Sequence, residues 1–197
     1  QTGSSLGRVN WCTDVGPATK LLPTLRLERQ PDTLLVTADD DVFYHAHVVA
    51  DLVSAIRQWP HCAYNFAGQL IEPLNDGRYA VRSADKEEYH RAPTAVDILE
   101  AFLGAIYKRD FFTDTVFEID AECFTTDDIH ISQHLATHGI PRIKLPAQHL
   151  LQASSGQFQP THVLPRLDSI GALRANNVFG TSKNVQCATR HVAVFRH

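Results

Sequence analysis

The stretch that most constrains the fold is Thr33-Leu34-Leu35-Val36-Thr37-Ala38-Asp39-Asp40-Asp41. Its first half is short, apolar and partly β-branched, the pattern of a strand buried on both faces. Its second half sets three carboxylates where such a strand leaves its sheet. In α/β folds, ligands bind beyond the carboxyl ends of the strands. In extended geometry Asp39 and Asp41 point to one side and Asp40 to the other. Carboxylates this close repel, and one pKa rises unless a cation neutralises them. A hard divalent ion that prefers oxygen ligands, Mg2+ or Mn2+, is the simplest remedy. An acidic turn screened by water is the competing reading.

The residues around this stretch alternate between strand and helix patterns. A strand over Arg8–Cys12 and a turn at Asp14–Pro17 precede a helical turn from Ala18, ended at about Pro23. After the triplet, Val48, Val49, Leu52, Val53 and Ile56 mark one face of a helix from about His45 to Gln58, which Pro60 stops. Ala63–Ala67 reads as a strand closed by Gly68. Asn75-Asp76-Gly77 is a turn signal that makes Arg78–Arg82 a hairpin partner. Val96–Leu99 and Phe102–Tyr107 read as extended, with Gly104 marking a bulge or a close approach by a ligand. Thr125 or Thr126 caps a helix that carries Asp127 and Asp128 in its first turn and stops at Gly139. Ile140–Leu145 returns as a strand, and Asn184–Arg196 fits helix or strand equally. This order predicts an α/β fold with a mixed, mostly parallel sheet flanked by helices. One domain is expected, with its core over 8–146 and a loop-rich part over 147–197.

Composition excludes more than it identifies. A net charge of −4 offers no basic field for nucleic acid. No apolar run reaches the ~20 residues of a membrane helix. Cys12, Cys62, Cys123 and Cys187 have no paired metal-ligand spacing, so buried free thiols are expected. With no signal-like segment, a cytoplasmic location is favoured. The chain opens on Gln1 and holds no methionine, so a fragment or a trimmed product is expected.

Three stretches together resemble the family 2 type inverting glycosyltransferases of the GT-A fold. Asp14-Val15-Gly16-Pro17-Ala18-Thr19-Lys20-Leu21-Leu22-Pro23 is similar to the segment those enzymes place before their metal motif. Asp39-Asp40-Asp41 with Val42-Phe43-Tyr44 is similar to the Asp-x-Asp motif itself. Gly104–Tyr107, with Thr126-Asp127-Asp128-Ile129-His130-Ile131-Ser132, resembles their acceptor-side glycine segment and acidic helix start. The resemblance spans about residues 14 to 145. Such enzymes place two further strands before the metal motif, one of them holding the donor's base. Only 38 residues precede Asp39 here, so that unit is expected to be missing or built differently.

The resemblance implies a nucleotide-sugar donor, UDP-linked by preference, a glycan or other hydroxyl acceptor, and Mn2+ or Mg2+. It implies Asp128 as the base that deprotonates the acceptor, with Asp127 supporting a sugar. The metal falls to Asp39 and Asp41, with His191 as a late ligand. Asp14, Lys20, Asp39 and Asp40 are placed on the donor, with Lys20 as a point charge for its phosphates, and Gly104 and Tyr107 on the sugars. A helix N-terminus is expected to keep Asp127 and Asp128 ionised. His45 and His47 are candidates for the metal but fit exposed positions at a helix start better. Two rivals stand beside this reading: a metal-dependent phosphoryl or phosphodiester enzyme, and a sugar-nucleotide or glycan-binding module without turnover.

Overall fold

A computed structural model of the chain describes residues 9–39, 42, 44, 46–76, 79–84, 92–146 and 183–195. Eight strands are present among them: β1 (Leu34–Thr37), β2 (Ala63–Asn65), β3 (Gly68–Pro73), β4 (Tyr79–Ser83), β5 (Thr94–Ala95), β6 (Ile98–Leu99), β7 (Ala105–Lys108) and β8 (Arg142–Lys144). The helices are α1 (Leu22–Leu27), α2 (Val48–Gln58), α3 (Asp127–Thr137) and α4 (Lys183–Phe195). The fold is mixed α/β, with one five-stranded sheet ordered β1-β7-β2-β8-β5 and one three-stranded sheet ordered β4-β3-β6. In the larger sheet only β2 and β8 run parallel; the other pairings are antiparallel, against the mostly parallel expectation.

β1 departs from the expectation of a strand buried on both faces. It pairs antiparallel with β7 and, among the described residues, has no second neighbour. It alternates instead of burying both faces: Leu35 and Thr37 point inward, whereas Val36 is 39% exposed. A short apolar run satisfies an edge strand with one buried face as well as a central one, so the pattern alone cannot set its neighbours.

The helices follow local chemistry more closely. Val48, Leu52 and Ile56 bury one face of α2, and Trp59 caps it just before Pro60. Pro23 begins α1 instead of ending a turn, because its missing N–H would have no partner in a first turn anyway. At the end of α3 Gly139, at φ +69, lets Gly139 N–H and Ile140 N–H reach back to the carbonyls of Ala136 and Leu135. Gly68 opens β3 instead of closing β2, and residues 9–12 form no strand. The β3–β4 hairpin forms in the register Ile71 to Val81, although Gly77 and Arg78 lie outside the described residues.

The last segment, where helix and strand fitted equally, is helical over its described residues, Lys183–Phe195. α4 lies on α3, and Cys187, Ala188 and Phe195 join Ile98, Cys123 and Ile129 in a satellite core. Cys123 and Cys187 form a disulfide, which corrects the expectation of free thiols at those positions. Their 64-residue separation hid the pairing, since spacing encodes a bridge only within a local framework. Cys12 and Cys62 are free. The loop-rich expectation for 147–182 falls outside the described residues.

Candidate functional site

Register brings several chain ends to one rim of the five-stranded sheet. Thr37 at the end of β1 pairs with Ala105 at the start of β7, and Asn65 at the end of β2 pairs with Ala105 and with Lys144. Strand ends of this kind leave backbone groups and following residues free to face a ligand. Asp39 lies two residues past β1, while α3 begins with Asp127 and Asp128. Lys20 ends the short 3-10 helix Ala18–Lys20.

Lys20 joins these acids. Its Nζ stands 2.8 Å from Asp39 Oδ1 and 3.1 Å from Asp127 Oδ2. Burial works against the ammonium, but the charges of Asp127, Asp128 and Asp39 outweigh it and raise the pKa, so Lys20 stays charged. Lys20 therefore neutralises two protein carboxylates in this structure, beside the charge it was expected to offer donor phosphates.

Asp128 behaves differently. Its Oδ1 accepts the Ala101 N–H at 3.0 Å, from the short 3-10 turn Ala101–Leu103 outside its own helix. Desolvation, and then the charge of Asp127, push its carboxyl up to about 8; Lys20 and the Ala101 N–H oppose the rise without cancelling it. The expectation that the helix N-terminus would keep it ionised fails for that reason. A dipole effect of ~0.3–1 kcal/mol at exposed sites is smaller than the burial of a carboxylate beside another.

Tyr107 is 1% exposed and packs edge-on to Phe112, with ring centroids 5.4 Å apart. Burial raises its pKa, and so do the charges of Asp128, Asp127 and Asp39, so it lies under the acidic cluster as part of the core. The expected sugar contact is corrected accordingly. Gly104 sits at φ +90, where a Cβ would come 3.2 Å from Val48 Cγ1 and 3.6 Å from Tyr44 Cε1. Its positive φ lets the chain turn closely against α2. Asp14 is exposed and shapes a turn: its Oδ1 accepts the Gly16 N–H at 2.8 Å and the Thr19 hydroxyl at 3.2 Å.

His191 is placed elsewhere. Its Nε2 is 3.0 Å from Asp120 Oδ2, and it stands beside the Cys123 and Cys187 sulfurs. Asp40, Asp41 and His45 lie outside the described residues, and His47 is an exposed N-cap of α2. Four residues at the cleft carried no sequence signal strong enough to single them out. Tyr44 accepts the Asp39 N–H at 2.7 Å, and the fully buried Asn65 donates to the Glu100 carbonyl. Gln69 Nε2 donates to Glu100 Oε1 at 2.6 Å. A buried Asn beside a glycine-bounded strand end was the one available hint.

The donor set at the rim is all oxygen, the chemistry a hard divalent cation accepts. Asp39 alone supplies it from the triplet among the described residues, with one oxygen already on Lys20. The one group of three ligand-type side chains that the described residues bring together is Cys123, Cys187 and His191, whose two sulfurs are bonded to each other. No protein-family model matches the chain, and no curated protein matches it significantly.

Proposed function

We propose that the chain is the catalytic core of a metal-dependent inverting glycosyltransferase that takes a nucleotide sugar, preferably UDP-linked, and glycosylates a hydroxyl acceptor. The observation that carries this reading is the meeting of the strand-exit acid Asp39 with the α3 acids Asp127 and Asp128 around Lys20 at one rim of the sheet. Three separate stretches of sequence, each similar to a motif of such enzymes, converge there.

The chemistry asks for a base on one face of the sugar and charge stabilisation on the other. The acceptor oxygen bonds to the anomeric carbon as the bond to the nucleoside diphosphate breaks. Asp128, once ionised, takes the acceptor hydroxyl's proton, and the diphosphate leaves with the electron pair. Lys20 holds Asp39 and Asp127 in place and balances their charge. Asp39 and Asp41 would hold Mn2+ or Mg2+, which supplies charge neutralisation to the departing phosphate. The Cys123–Cys187 disulfide suits an oxidising compartment better than the cytoplasm first favoured.

A thermal-shift and product-release screen of nucleotide sugars, with and without Mn2+, tests the reading. Mn2+-dependent stabilisation by one nucleotide sugar and release of its free nucleoside diphosphate are expected. The Asp39→Ala/Asp41→Ala double variant should lose that stabilisation while keeping its fold. Metal affinity equal to the parent's in the double variant would remove the metal site. Phosphate release without a glycosidic product would favour the phosphoryl rival.

A further inference from the structure

One turn, residues 100–104, is tied both to the strand exit at Asp39 and to the start of α3 at Asp128. On the strand side the Asp39 N–H donates to the Tyr44 hydroxyl at 2.7 Å, and that hydroxyl donates to the Phe102 carbonyl at 2.8 Å. On the helix side the Ala101 N–H donates to Asp128 Oδ1 at 3.0 Å. Beneath the turn, Asn65 and Gln69 hold the Glu100 carbonyl and carboxylate. Gly104 closes it at φ +90 against Val48 and the Tyr44 ring. A hydroxyl has one proton to donate and lone pairs to accept with. Tyr44 uses both capacities on two backbone groups 63 residues apart in sequence, Asp39 and Phe102.

We propose that Tyr44 is a positioning residue: its hydroxyl clasps the acidic strand exit to the 100–104 turn, so that Asp39 and Asp128 keep a fixed separation. The inference rests on the glycosyl-transfer reading of the cleft and deepens it. Base and leaving group act on opposite faces of one carbon, and a misplacement of ~1 Å between such groups can lower a rate about a hundredfold. A hydrogen bond serving Asp39 alone could end on water. This one ends on the Phe102 carbonyl, in the same turn as the Ala101 N–H that meets Asp128. Because coupling between sites is reciprocal, loosening either end should loosen the other.

Tyr44→Phe tests this, because it keeps the ring against Gly104 and removes only the hydroxyl. Amide hydrogen exchange gives the first readout. Exchange at Asp39 should speed up tenfold or more, and so should exchange at Ala101, whose N–H the hydroxyl does not touch, while the amides of α2 stay as in the parent. Steady-state kinetics give the second: kcat should fall at least tenfold with KM for the donor nearly unchanged. Faster exchange at Asp39 with Ala101 as in the parent would overturn the clasp, as would parent-like kcat in an active enzyme. If the parent turns over no nucleotide sugar, the glycosyl-transfer reading falls, and the exchange at Ala101 still decides whether the clasp exists.

Discussion

Two carboxylates in consecutive positions meet different neighbours, and burial, ahead of any neighbour, raises the pKa of the second, Asp128. Asp127 reaches Lys20 at 3.1 Å, whereas Asp128 turns to a neutral backbone N–H and is left with the repulsion of Asp127. A carboxyl raised to about 8 is mostly protonated at neutral pH, and the base role proposed for Asp128 requires it ionised. Turnover should therefore rise with pH through about 8 and level off above it, as a pH–rate profile of kcat/KM will show. Asp128→Asn should lower kcat by about two orders of magnitude or more, the scale of general base catalysis, with donor affinity nearly unchanged. Weakened donor binding with near-normal kcat would instead make Asp128 a positioning residue. Lys20→Met removes the charge that opposes the rise, so the ascending limb of the profile should move to higher pH. An unmoved limb in Lys20→Met would mean that the profile reports some other group.

At the scale of the element, α3 carries two groups whose protonation pulls stability in opposite directions. The raised pKa of Asp128 gives stability that is fully present below about 4 and is lost as pH rises toward 8. His134 lies stacked between Phe112 and His138, and desolvation, with the charges of His138 and His130, lowers its pKa to about 4. Its contribution is present above about 6.5 and is lost as pH falls toward 4. Between about 4 and 6.5 the two slopes oppose each other, so chemical denaturation should show stability nearly level there and falling as pH rises from about 6.5 to 8, and Asp128→Asn should remove that alkaline fall. An alkaline fall unchanged in Asp128→Asn would assign it elsewhere. The start and stop of α3 were legible in Thr126, Asp127, Asp128, Gly139 and Pro141, because caps are local. The burial of His134 was not, since it depends on Phe112 arriving from another segment.

Across the whole molecule, what could be read from the sequence divides along the same line between local and distant causes. The strand with acids at its exit, the apolar face of α2, the β3–β4 hairpin and the acidic start of α3 are written in consecutive residues. The edge position of β1, the burial of Tyr107 and the Cys123–Cys187 bridge depend on partners dozens of positions away. That bridge pins α4 to the turn just before the α3 acids, with Ile98, Ile129, Ala188 and Phe195 packed around it. Closing a loop of this size removes freedom from the unfolded chain worth about 4 kcal/mol on the chain-entropy account. Cys187→Ser should therefore lower the thermal midpoint by roughly 8–16 °C for a domain of this size. The Lys20–Asp39 pair draws on none of the satellite core, so nucleotide binding well below the midpoint should persist in the variant. Parent-like melting of Cys187→Ser would show that the satellite core holds α4 without the bridge. Loss of nucleotide binding in a variant that still melts cooperatively would show instead that α4 sets the position of Asp127 and Asp128.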